Sequence, residues 1–193
     1  MKKVGALIFT AGLLYTPWIG GGGMPTGLKS TSSLITVGFN VTETAPGVFT
    51  QSRIDLQLNP LDNEVFVVQA INLDCQTPDA IAGVNTGTTG SLSTTSQLAV
   101  GNLSNSSVMA TAALRVRAAG FLDGGVAFEQ SSMETPPSGL DYIGIIATND
   151  FFIQVVGSGN IGAKDMSGRM YGYRAKASSS IYAALVQSEL LTA

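Results

Sequence analysis

Apolar side chains in this chain recur mostly at every second residue, the period of a β-strand with one buried face. The clearest case is "GVFTQSRIDLQLN" (47–59), where Ile54, Leu56 and Leu58 face one way and Arg53, Asp55, Gln57 and Asn59 the other. "SLITVGFNV" (33–41) is β-branched and aromatic, as strands prefer. Pro60-Leu61-Asp62-Asn63 has the composition of a turn. It leads into "EVFVVQAINLD" (64–74), an apolar strand whose alternation breaks near Ala70-Ile71, where a bulge is expected. Residues 76–107, rich in Gly, Ser, Thr and Asn, predict loops interrupted by one strand around 94–100. "VMATAALRVRAAG" (108–120) has enough alanine for a helix, but Leu114, Val116 and Ala118 alternate with Arg115 and Arg117, which favours a strand.

Short strands are then predicted in "GVAFEQ" (125–130), and, after a proline turn at 135–139, in "LDYIGIIAT" and "DFFIQVV". "GRMYGYRAKA" (168–177) alternates again. The period changes only at the end. "SSSIYAALVQSELL" puts Ile181, Ala184, Leu185 and Ser188 on one helical face and Tyr182, Val186 and Leu190 on the adjoining one. With serines at 178–180 to cap it, a helix is expected over about 178–192. Many strands, irregular loops and no strand–helix repeat predict an all-β fold, an antiparallel β-sandwich or single jelly roll. The chain divides into a hydrophobic N-terminal arm with a Gly-rich hinge (1–27) and a sandwich domain (28–193).

Composition sharpens this picture. Only 12% of the 193 residues are charged, about half the usual share, and mean hydropathy is +0.29. Ser and Thr make up roughly a fifth of the chain, so its polarity comes from hydroxyls rather than ions. Soluble monomers ordinarily carry a more charged surface, whereas the cores of subunit interfaces are depleted in charge. The composition therefore favours an assembling subunit over a sparsely charged secreted monomer. The net charge is −3 and the ten Lys and Arg are scattered, the densest groups being Arg115–Arg117 and Arg169, Arg174 and Lys176. No basic stripe is present to displace counterions, so direct nucleic-acid binding is not expected. The lone Cys75 can form no internal disulfide and reads as a small buried residue.

Candidate chemistry is thin. The chain has no histidine, which removes Ser-His-Asp and Cys-His catalysis and the usual zinc sites. Carboxylate-only hydrolysis would need two acids roughly 5–10 Å apart in one cleft. The acids considered (Asp55, Asp62, Glu64, Asp74, Asp79, Asp123, Glu129, Glu134, Asp141, Asp150, Asp165) are scattered over strand ends and turns. No ligand spacing supports calcium around Asp74–Asp79 or Asp123. Gly157-Ser158-Gly159-Asn160-Ile161-Gly162 fits the G-x-G-x-x-G dinucleotide fingerprint, but the residues after it alternate with period two instead of opening a helix. A hairpin connection with positive-φ glycines is the expected use. Asn40, Asn102 and Asn105 head N-x-S/T triplets of the kind a hydroxyl-rich chain contains by chance. No catalytic, cofactor or metal site is assigned, and the chain is not expected to be an enzyme.

The opening "MKKVGALIFTAGLLYTPWIGGGG" admits three readings. From Val4 to Ile19 run sixteen uncharged residues, short of the roughly 20 of a straight membrane span. The lysines and the apolar run suit an export signal, but no A-x-A site precedes the glycines; a prepilin-type cut after Gly5 is a variant of that reading. The preferred reading is a retained arm that packs on a neighbour or touches a membrane surface.

A charge-poor all-β body with an apolar arm, Ser/Thr/Gly loops and a terminal helix resembles viral capsid proteins. It looks most like the small single-jelly-roll major capsid proteins of icosahedral, membrane-containing viruses of bacteria and archaea. The stretch "DYIGIIATNDFFIQVVGSGNIGAKDMSGRMYGYRAKASSSIYAALVQSELL" also looks like viral structural proteins in wording. The long-helix pattern of the tailed-virus capsid fold is not apparent. The resemblance implies a virion structural protein whose partners are copies of itself and other capsid proteins. The alternative is a secreted or cell-surface sandwich, a filament subunit or adhesin, with residues 1–20 as its export signal.

Overall fold

A computed structural model describes residues 25–118, 128–132 (backbone alone) and 140–191. The expected arm over 1–23 and the proline turn at 135–139 lie outside the described residues, as do Asp123, Glu134 and the side chain of Glu129. Ten strands, one short 3-10 turn at Pro60–Asp62 and one α-helix are described. In one sheet, β1 (Leu28–Ser30) and β2 (Ile35–Thr42) flank one side of β10 (Asp165–Ala177), followed by β4 (Glu64–Cys75) and β8 (Gly144–Ile146). The other sheet runs β3 (Thr50–Asp55), β9 (Asp150–Ser158), β5 (Thr86–Ser93), β6 (Val108–Arg117) and β7 (Phe128–Ser132). All pairs are antiparallel. The chain changes sheet after β2, β3, β4, β7, β8 and β9, and β2–β10–β4–β8 faces β3–β9–β5–β6. That strand order is a jelly roll.

Alternation explains the core. Phe39 and Val41 from β2, Phe66 and Val68 from β4, Met166 and Met170 from β10 meet Leu92, Phe151, Ile153 and Val155 of the opposite sheet, all buried. The rings of Phe39 and Phe151 join the sheets edge to face, 5.6 Å apart at 74°. On β10 the inward positions read Met166, Gly168, Met170, Gly172. A Cβ on Gly168 would strike the Phe39 ring and come within 2.7 Å of the Asn72 carbonyl, and one on Gly172 would strike the Val67 carbonyl. The glycines thus make room for aromatic rings from the neighbouring strands.

The bulge in β4 occurs at Gln69, one residue before the expected place, where Tyr171 pairs with Ala70 but Gly172 with Val68. It inverts the face of the strand. Phe66 and Val68 point inward before it, Ile71, Leu73 and Cys75 after it. Val65 and Val67 are consequently turned to the outer face, where a second cluster forms with Ala175 and Ala177. Helix α1 (Ser179–Leu191) covers that cluster with Ile181, Tyr182, Leu185 and Val186. Ala184 and Leu190, both expected on packed faces, are exposed instead.

Three other expectations are corrected. The strand in the hydroxyl-rich region is Thr86–Ser93 rather than 94–100, and 94–107 is loop. Its Thr, Gly and Ser residues carry no apolar alternation, and it is central only because β6 and β9 pair on both sides. Strand β3 stops at Asp55; Leu56 and Leu58 are buried beyond its end, with Gln57 between them at φ 52. Residues 159–164 form no hairpin, since β9 and β10 belong to different sheets. Segment 108–117 is a strand, as preferred over a helix.

Candidate functional site

Several of the carboxylates considered are engaged by nearby groups, whereas Asp74 and Asp141 lie exposed. Asp55 accepts the N–H of Gln57 (2.9 Å), Glu64 accepts from Asn59 N (2.9 Å) and Arg174 (3.1 Å), and Asp150 pairs with Arg53 (2.6 Å). Arg174 also donates to the carbonyls of Leu56 and Gln57, which fastens the β3–β4 connection to β10. Lys176 meets Asp62 at 3.4 Å, so two of the three basic residues grouped in the sequence have acidic partners. Arg115 and Arg117 are exposed on one face of β6, beside a depression of about 160 Å³. Among the described residues no three His, Cys, Asp or Glu side chains could together hold a metal ion.

Asp79 accepts from Lys164 Nζ (2.6 Å) and from the N–H groups of Ile161 and Gly162 (2.9 and 3.2 Å), which together hold its carboxyl below the usual range. The amine is buried and the acid half-exposed. These bonds fill the G-x-G-x-x-G segment with loop-to-loop contacts. Gly159 has φ +68 and abuts the Asn85 carbonyl (a Cβ would sit 2.6 Å away), Asn160 bonds Asp79 N and Gly87 O, and the next element is β10. No helix N-terminus is present there to receive a pyrophosphate. Asn102 and Asn105 accept from the N–H groups of Ser104 and Ser107, the local role that suits Asn in turns.

Two buried acids, Glu43 and Glu189, do not stand out in the sequence. Glu43 accepts the N–H groups of Gly157 and Lys164, closing the β2–β3 connection onto the β9–β10 one. Glu189 accepts from Ala147 N (2.8 Å) and Thr148 N (2.9 Å), which ties α1 to the β8–β9 connection. Burial, the largest influence, pushes its carboxyl above the ordinary value despite those two donors. It borders a recess of about 280 Å³ with Met109, Ile143 and Leu185. The Cys75 thiol is buried and pushed up to about 11, chiefly by loss of solvent.

Part of the exposed surface is apolar and uncharged. Loop 94–107 contains no ionisable residue and lies over the outer face of β3, β9 and β5. It is held by Gln51, Ser91 and Gln154: Gln51 Oε1 accepts from Gln97 N (2.8 Å), Ser91 Oγ from Gly101 N (3.0 Å), and Gln154 bonds Ser91, Ser93 and Gln51. On this polar mount Leu98 is 98% exposed. Elsewhere Leu61 (92%) and Leu190 (66%) are exposed, and a cleft of about 310 Å³ lined by Pro60, Asn149, Asp150, Tyr182 and Val186, among others, lies between α1 and the Pro60–Asp62 turn. Among the described residues no helix is long and apolar enough to cross a membrane. Compared with family models, curated proteins and solved structures, the chain matches none.

Proposed function

We propose that this chain is a virion structural protein, a capsid shell subunit that assembles with copies of itself. The observation that carries the reading is a jelly-roll sandwich whose exposed loops and helix present leucines, one of them on a loop, 94–107, without any ionisable residue. Leu61, Leu98, Leu190 and Leu191 are all more than half exposed, and each costs hydration that a neighbouring subunit would relieve. The sandwich would form the shell wall, and burial between subunits would supply cohesion that ion pairs do not. The acidic balance suits a shell that does not hold nucleic acid directly. The hydrophobic segment 1–23 would contact a neighbour or a membrane.

Light scattering coupled to size exclusion, on the full chain and on a chain lacking residues 1–24, tests the reading. Multimeric particles from the full chain support it, and a monomer in both at high concentration refutes it. Assembly only after removal of residues 1–20 in the native source would favour the secreted filament alternative.

A further inference from the structure

We infer that Arg115 and Arg117, with the hydroxyls of Thr89 and Ser158 and the amide of Asn85, form a binding site for a phosphate group. The two arginines are exposed on one face of β6, and Val116 between them is buried on the other. Their Cα atoms are about 7 Å apart along the strand, so two long side chains can converge on one ion. In register, Gly87 of β5 lies between Arg115 of β6 and Ser158 of β9. The bare glycine leaves a slot between those two side chains, the depression of about 160 Å³. The Arg115 stem borders it, with Cγ 3.7 Å from where a Cβ on Gly87 would stand.

The groups around the slot are donors without acceptors. Arg53, Lys164, Arg174 and Lys176 each pair with a carboxylate, whereas Arg115 and Arg117 have no acidic partner among the described residues. The hydroxyls of Thr89 and Ser158 make no hydrogen bond there either. Asn85 Oδ1 accepts from Ala118 N (3.0 Å), which leaves its Nδ2 as a further donor. Thr86, also at the rim, is committed to the Asp79 carbonyl (2.6 Å). Strand β6 is paired on both sides, so its cations do not guard an open edge. A guanidinium only donates, and two of them suit an acceptor-only group carrying about two negative charges, as phosphate does. A carboxylate, with one charge and two oxygens, would leave donors idle. The Lys and Arg residues form no stripe leading away from the pair, so a nucleic-acid backbone is not the source. Inorganic phosphate and a small phosphomonoester present the same chemistry to the slot. The site would serve a shell subunit and a secreted protein alike.

Isothermal titration calorimetry of the full-length chain with sodium phosphate, against sodium chloride at equal ionic strength, tests the site. Saturable binding of phosphate is expected at neutral pH, and none of chloride. Arg115→Gln and Arg117→Gln should each weaken it about ten- to a hundredfold, with circular dichroism unchanged. Arg117→Lys should weaken it less, because it keeps the charge and loses only the forked donors. Glycerol phosphate, titrated in parallel, separates the sources. An affinity equal to or above that of inorganic phosphate makes a monoester the ligand, and a lower one makes it the free ion. Absence of saturable phosphate binding would overturn the proposal. So would binding that chloride matches, or that either glutamine variant leaves unchanged.

Discussion

Replacing Glu189 separates what holds the terminal helix to the sandwich from what burial costs. Its carboxylate is the acceptor for Ala147 N at 2.8 Å and Thr148 N at 2.9 Å. Glu189→Ala removes both bonds and strands a buried donor. Hydrogen bonds to a charged group contribute about 1.5–3 kcal/mol each, and the relief of desolvating the carboxylate offsets part of the pair. A net loss of about 3 kcal/mol is expected from the two bonds together. Glu189→Gln keeps the shape and one acceptor and should lose about 1 kcal/mol. The pH dependence has a definite sign. Burial raises the folded-state carboxyl above its ordinary value of 4.5, so the folded chain holds that proton more tightly than the unfolded one. The stabilisation is therefore complete below 4.5 and is lost as pH rises through the raised value. Glutamine exchanges no proton. Urea unfolding followed by circular dichroism from pH 4 to 7 should show the margin of wild type over Glu189→Gln shrinking towards neutral pH. A margin that widens instead would show that the two N–H donors outweigh burial, and would refute the reasoning.

Three further outcomes follow from the core and its surroundings. Gly172→Ala should destabilise by at least about 1–3 kcal/mol, because its Cβ meets a backbone carbonyl that cannot move aside; Gly38→Ala, with open space at the Cβ position, should change urea midpoints little. Thr88 Oγ1 is the one buried side-chain polar atom without a hydrogen-bond partner among the described residues, so Thr88→Val should stabilise by about 1 kcal/mol in the same assay. Cys75, at about 11 and buried, should resist a thiol reagent at neutral pH until the protein is unfolded, and prompt labelling of the native chain would contradict its placement.

Much of the sandwich was legible because alternation encodes it directly. The strands "SLITVGFNV" and "GRMYGYRAKA" and the break in "EVFVVQAINLD" carry their faces in the order of their residues, and the helix is marked by its change of period. Strand β5 was not legible. Thr86–Ser93 is a strand because two neighbours pair with it, and its small residues let Met166 of the facing sheet pack close, a fact of another part of the chain. The buried acids were hidden for the same reason: Glu43 bonds a backbone N–H 114 residues away. Nothing local separates such a glutamate from a solvated one. An exposed leucine of the helix also needed the fold, since Leu190 shares a face with Tyr182 and Val186 in sequence but only those two reach the outer cluster. The motif 157–162 could be set aside from sequence because a helix does not follow it, although its true use, an inter-sheet crossing, required the topology.

Sedimentation velocity of the full chain and of Leu98→Asp, over a wide range of concentration and at low and high sodium chloride, bears most directly on the central claim that uncharged flanks are buried against other copies. Apolar contacts are not screened by salt. The wild-type chain should form large species that persist at high salt, and Leu98→Asp, on a solvent-exposed site, should fold normally yet remain small. A wild type that sediments as a monomer throughout, or whose large species dissolve as salt is raised, would contradict it.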